Sequence, residues 1–335
     1  MKKVSIYGIG NFGYAILKHL DRKESAEFSL SAYDRNPLLS AHLDNTRQHL
    51  TLFQPVEISQ RPLIEQSSQA LLADCDVLIL SVTSDSIGAV LEEISPFITK
   101  PLILVNTSKA FHSQTGLRIS EIVAEKLAGK TYNYAMLSGG MIASDLLNHG
   151  PLGASLACQN QDLLPELAAI FASEHLFIYP TDDVAGVECA AAFKNVISIL
   201  AGITNGLGLP YSVETRIISR AAAEVEKIAI QQFGAQAKTF SLGSQCWGND
   251  LWVSCTGKTR NKEFGILIGQ GWSLEEAEQK MKAEKKTIEG LKTITALPLI
   301  TKIEDYHILH LIHLLFSGKI NLAQFKMDIS KRSQP

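Results

Sequence analysis

The feature that most constrains this chain is the run Val4-Ser5-Ile6-Tyr7-Gly8-Ile9-Gly10-Asn11-Phe12-Gly13. A short apolar stretch ends at the first glycine, and residues 11–20 then carry helical spacing. A strand that turns sharply into a helix directs backbone N–H groups at a bound pyrophosphate. The first glycine of such a turn permits the bend, the second lets backbone approach phosphate, and the third lets helix pack on strand. Three glycines can also mark an ordinary turn. Their place between an apolar strand and a helix favours a dinucleotide site, with Gly8, Gly10, Asn11, Phe12 and Gly13 against the cofactor.

Residues 28–33 alternate as a second strand and lead into Asp34-Arg35-Asn36-Pro37. An acidic residue about 20 positions beyond the glycines is placed to accept hydrogen bonds from ribose hydroxyls, which favours NAD. Arg35 could instead face a 2′-phosphate, so NADP stays open, and Asp34 could also be a turn residue before Pro37.

The chain has 335 residues, enough for two domains, and its 46% hydrophobic and 19% charged fractions are those of a globular protein. A formal net charge of −3 leaves no basic footprint for nucleic acid. Cys75, Cys158, Cys189, Cys246 and Cys255 are scattered, without C-x-x-C spacing. They read as buried thiols in a reducing compartment. No window approaches the ~20 uninterrupted apolar residues of a membrane span, and Met1-Lys2-Lys3 precedes no signal-like apolar core. The expectation is a cytoplasmic protein without a membrane span.

Strand and helix patterns alternate through the first half. Residues 77–82 and 102–105 are apolar runs suited to parallel strands buried on both faces, and residues 134–137 and 154–157 are shorter strands. Residues 84–94 look helical, with Ser84 or Asp85 as N-cap. The repetition predicts a doubly wound α/β sheet. After about Asp183 the strands largely vanish, and residues 185–206, 213–233 and 274–291 carry helical spacing. The polar turn at residues 180–183 divides a domain of residues 1–182 from an all-α domain of residues 183–335.

Within Val187-Glu188-Cys189-Ala190-Ala191-Ala192-Phe193-Lys194-Asn195-Val196-Ile197, Lys194 interrupts small and apolar residues. Such a lysine either snorkels to the surface or is a placed cation. Here the chain resembles the NAD(P)-dependent glycerol-3-phosphate dehydrogenase family over nearly its whole length. The segment from Phe193 to Ile197, followed by Ala201-Gly202-Ile203-Thr204-Asn205-Gly206, is similar to that family's K-N-V and A-G-x-x-D-G blocks. Ser254-Cys255, Thr259-Arg260-Asn261-Lys262-Glu263-Phe264-Gly265 and Leu267-Ile268-Gly269-Gln270-Gly271 are similar to its T-C, S-R-N-x-x-F-G and L-G-Q-G blocks. Lys109-Ala110-Phe111-His112-Ser113-Gln114-Thr115-Gly116 and Ile288-Glu289-Gly290 resemble two more.

The resemblance implies a Rossmann-type N-terminal domain, an α-helical substrate domain and a homodimer. It implies reversible hydride transfer between NAD(P)H and dihydroxyacetone phosphate, a small phosphorylated substrate, yielding sn-glycerol 3-phosphate for glycerophospholipid synthesis. Lys194 would be the acid in reduction and the base in oxidation. Asp250 would orient it, and Lys109 would reach both substrate and nicotinamide. Arg260 and Asn261 would hold the phosphate, while Gly139, Asn195, Ser254 and Thr259 would contact the substrate. Ala143, Arg260 and Glu289 would join Lys109 at the cofactor. An enzyme of the same fold acting on another phosphorylated hydroxyketone, and a nucleotide sensor without catalysis, are the alternatives.

Some positions depart from the family pattern. Gly140 and Met141 stand where it has proline and a hydroxyl residue, Asn205 where aspartate is usual, and Ser212 where asparagine is usual. His307, His310 and His313 step by three, which on a helix drifts around the axis and argues against a shared metal. Trp247 and Trp252 read as packing residues.

Overall fold

The computed structural model describes residues 1–23, 28–50 and 56–331. The chain divides into two compact units, Met1–Ser108 with Ile119–Val184, and Lys109–Arg118 with Ala185–Pro335.

The first unit is built on β1 (Lys2–Tyr7), β2 (Phe28–Tyr33), β3 (Leu63–Ile64), β4 (Val77–Leu80), β5 (Leu102–Asn106), β6 (Tyr132–Ser138), β7 (Leu152–Cys158) and β8 (Leu176–Thr181). One sheet joins them in the order β3-β2-β1-β4-β5-β6-β7-β8. Neighbours are parallel except β6 and β7. The connecting helices are α1 (Asn11–Asp21), α2 (Pro37–Thr46), α3 (Ser68–Leu72), α4 (Ile87–Ile94), α5 (Ile119–Lys126), α6 (Ala143–Leu147) and α7 (Leu164–Phe171). Every residue of β4 and β5 is buried, as continuous apolar runs require when both faces of a sheet are covered. The chain leaves β1 for β2 on one side and returns to β4 on the other. This reversal opens a crevice at the carboxyl end of β1, where doubly wound sheets bind ligands.

Two strands escape the sequence pattern. β3 has only two residues, and β8 is half-exposed and contains Pro180, so neither forms an apolar run. The helical stretch at residues 84–94 opens with a 3-10 turn, Ser84–Ser86. The N-cap of α4 is therefore Ser86, and neither Ser84 nor Asp85.

The second unit is helical among the described residues: α8 (Val184–Gly206), α9 (Tyr211–Phe233), α10 (Asp250–Thr256), α11 (Arg260–Gly269), α12 (Leu274–Ala283), α13 (Glu289–Ile300), α14 (His307–Phe316) and α15 (Leu322–Ile329). The expected helix over residues 274–291 is two helices. Lys285 takes φ 55, a left-handed conformation that ends α12 before α13 begins. By length and composition α8 could cross a membrane, but 94% of its most apolar window is buried, which makes it a core helix. Its close partner is α11. A Cβ on Gly202 would meet Lys262 O at 2.1 Å, and one on Gly265 would meet Ile199 O at 2.1 Å, so glycines let the two backbones touch.

Candidate functional site

In the first unit the glycine turn has the geometry its sequence anticipates. Gly8 takes φ +95 and donates its N–H to Tyr33 O at 2.8 Å. The register Tyr7↔Tyr33 then carries Asp34 alongside the turn. A Cβ on Gly13 would lie 2.0 Å from Gly8 O, so helix packs on strand at the closest approach. A Cβ on Gly10 would meet nothing within 4 Å. That open space at the N-cap of α1 is a cradle for an anion, with Asn11 exposed and Phe12 partly buried beyond it. The turn therefore fits a dinucleotide's pyrophosphate.

The Asp34 carboxylate accepts the Ile9 N–H at 2.7 Å and the Asn36 N–H at 2.9 Å, while Arg35 is exposed. On the other side of the same residue, His49 Nε2 lies 2.9 Å from Ile9 O, and its ring packs on Tyr14 with centroids 5.2 Å apart. Sequence reasoning missed His49, because nothing in its spacing from the glycines marks it.

Farther along this unit, a Cβ on Gly139 would come within 2.6 Å of Gly153 O, so its absence lets β6 approach β7. Ala143 opens the short helix α6. Met141 belongs to the apolar core with Leu146 and Leu156. Its thioether lies buried in that core, where the family pattern has a hydroxyl residue.

The second unit holds the densest polar cluster. Lys194, at the middle of α8, is 8% exposed. It is a placed cation: its Nζ donates to Asp250 Oδ1 at 2.7 Å and to Ser254 Oγ at 2.9 Å. Lys109 Nζ donates to the other carboxylate oxygen, Asp250 Oδ2, at 3.0 Å. Asp250 is the first residue of α10 and follows a π turn, Gln245–Asn249. A Cβ on Gly248 in that turn would strike Leu242 O at 2.1 Å, so glycine is needed to bring the carboxylate here. Burial pushes the Lys194 ammonium below its ordinary pKa. Asp250 opposes the shift and the Lys109 charge adds to it.

The strap that carries Lys109 is anchored along its length. Phe111 packs between Phe193 and Phe233, and Arg118 pairs with Glu188 at 3.4 Å. Around it, asparagines brace the helices. Asn195 Nδ2 donates to Lys109 O and to Glu289 Oε2, both at 3.3 Å. Asn261 Nδ2 donates to Asn195 Oδ1 at 3.0 Å, and Asn261 Oδ1 accepts the Gly290 N–H at 3.1 Å. Thr259 Oγ1 donates back to Ser254 O at 2.9 Å, a carbonyl that Ser198 Oγ also binds at 2.7 Å. Ser198 is another residue the sequence did not single out. Arg260, the first residue of α11, is exposed and makes no ion pair among the described residues.

The remaining features do not join these clusters. His313 Nδ1 bonds Ile294 O at 3.3 Å. Trp247 is buried against Phe240, but Trp252 is 62% exposed, so the packing expected of it is absent. Asn205 Nδ2 donates to the buried Glu214 at 3.4 Å, and Ser212 is exposed. All five cysteines are buried, and none forms a disulfide among the described residues.

Comparison with known proteins places the chain in a family. The family described as NAD-dependent glycerol-3-phosphate dehydrogenase matches through its N-terminus over residues 3–164 and its C-terminus over residues 183–326. A "Glycerol-3-phosphate dehydrogenase [NAD(P)+]" of Thermoanaerobacter sp. is 30% identical over 95% of this chain and 93% of its own. A protein of the same name from Lawsonia intracellularis is 35% identical over 68% of this chain and 62% of its own. A glycerol-3-phosphate dehydrogenase from Coxiella burnetii, 22% identical, shares the fold with a TM-score of 0.88 over 99% of both chains. The chain belongs to the NAD-dependent glycerol-3-phosphate dehydrogenase family.

Proposed function

We propose that this chain is an oxidoreductase that reduces dihydroxyacetone phosphate to sn-glycerol 3-phosphate with NAD(P)H, reversibly. The observation that carries the reading is the buried Lys194 ammonium. Two of its three hydrogens lie on Asp250 and Ser254, and the third has no acceptor among the described residues. That hydrogen is left for a substrate oxygen.

When bound, the nicotinamide supplies or accepts the hydride. Hydride arrival at the ketone carbon leaves an alkoxide, which Lys194 protonates; in oxidation the neutral amine removes the hydroxyl proton. Asp250 holds Lys194 and Lys109 together. Two ammonium groups on the Asp250 carboxylate place donors where they can stabilise negative charge on the reacting oxygen.

Arg260 supplies a guanidinium fork, without an ion pair among the described residues, at the N-terminus of α11, suited to a phosphate by its donors and by the helix dipole. Asn195, Asn261, Thr259 and Ser254 hold this wall in shape. In the first unit, the Gly8–Gly13 turn with Asn11 and Phe12 would hold the pyrophosphate, and Asp34 the ribose hydroxyls, which favours NAD. Gly139 at the substrate, and Ala143 and Glu289 at the cofactor, complete the proposed assignment. Residues 1–182 supply most of the proposed cofactor contacts and residues 183–335 most of the proposed substrate contacts.

A cytoplasmic homodimer belongs to the same reading, whose support for a reducing setting is that the five buried cysteines form no disulfide among the described residues. A panel of phosphorylated ketones assayed by NADH and NADPH absorbance tests the function. Dihydroxyacetone phosphate should give the highest kcat/KM; turnover of none of them would overturn the proposal.

A further inference from the structure

The peptide between Ile9 and Gly10 is held by a residue outside the glycine turn. His49 Nε2 lies 2.9 Å from Ile9 O. A carbonyl only accepts, so the ring nitrogen there carries the proton. The chain has no cis peptide among its described residues, and in a trans peptide the C=O and the following N–H point in opposite directions. With the Ile9 carbonyl turned to His49, the Gly10 N–H faces away from the ring. Asp34 does the matching work one peptide earlier: it takes the Ile9 N–H, which leaves Gly8 O facing Gly13.

This second clamp matters because of the residue it adjoins. Gly10 has no Cβ and open space around it, so steric contact does little to stop its peptide from rotating. Ile9 itself is fully buried and cannot move with that rotation. We propose that His49 is a positioning residue of the dinucleotide site. By donating to the Ile9 carbonyl, it fixes the Ile9–Gly10 peptide with the Gly10 N–H turned to the pyrophosphate. The inference rests on the dinucleotide reading of the glycine turn.

Two substitutions separate the donor from the ring. His49→Phe keeps an aromatic ring to pack on Tyr14 and removes the donor. His49→Gln keeps an N–H near the Nε2 position and removes the ring. NADH and ADP-ribose are titrated by fluorescence, and adenosine, which lacks phosphate, is titrated as a competitor. In His49→Phe the Kd of NADH and ADP-ribose should rise about tenfold with adenosine unchanged, and His49→Gln should stay within about twofold of wild type. Wild-type affinity in His49→Phe, equal losses in both variants, or an equal loss of adenosine would each overturn the inference. A wild-type chain that binds neither NADH nor ADP-ribose would remove the dinucleotide reading, and the inference with it.

Discussion

The Lys194 ammonium lies 2.7 Å from the Asp250 carboxylate, and the two residues are 8% and 2% exposed. Asp250 also receives Lys109 at 3.0 Å, so its two oxygens hold two cations. The balance among burial, attraction and repulsion sets when Lys194 gives up its proton.

Activity should therefore follow pH in opposite senses in the two directions. Oxidation needs the neutral amine, so its kcat should rise with pH through a pKa below the ordinary lysine value of 10.5, and reduction should fall through the same pKa. Asp250→Asn removes the group that favours the ammonium and should move both limbs to lower pH. Lys109→Met removes a like charge and should move them up. Profiles of kcat against pH decide this; limbs that Asp250→Asn leaves in place would contradict the assignment.

Arg260 should matter in proportion to the phosphate. Arg260→Ala should raise KM for dihydroxyacetone phosphate roughly 30-fold, the equivalent of about 2 kcal/mol for charge-assisted hydrogen bonds. The kcat/KM for unphosphorylated dihydroxyacetone should barely change. Equal losses on both ketones would assign Arg260 a different role.

The glycines should separate binding from folding. Gly10→Ala meets open space and should melt near the wild-type temperature while losing NADH affinity. Gly13→Ala would place its Cβ 2.0 Å from Gly8 O and should lower the melting temperature. Thermal melts beside NADH titration test both, and full cofactor affinity in Gly10→Ala would show that nothing binds over that glycine.

Much of the fold was legible where one local rule acts alone. The buried parallel strands β4 and β5 are continuous apolar runs, and the glycine turn sits where strand gives way to helix. The half-exposed strand β8 is held by pairing with β7, which leaves little hydrophobic pattern to read. The break between α12 and α13 depends on the backbone of Lys285, a residue type that ordinarily continues a helix.

The candidate site divides the same way. Lys194 stood out as a charge in an apolar run, and the resemblance supplied Asp250. That Lys109–Arg118 packs with the second unit follows from tertiary contacts of Phe111 and Arg118, which no spacing along the chain encodes. His49 and Ser198 reach the backbone carbonyls of Ile9 and Ser254, and hydrogen bonds of that kind leave no periodic trace.

The central claim is that the amine of Lys194 moves the proton that accompanies hydride transfer. Its most direct test is the steady-state rate of dihydroxyacetone phosphate reduction by Lys194→Ala, with NADH affinity measured on the same preparation. The rate should fall by roughly 10²- to 10⁴-fold, the range of general acid catalysis, while cofactor affinity holds. A Lys194→Ala chain that turns over within a few-fold of wild type would contradict the account.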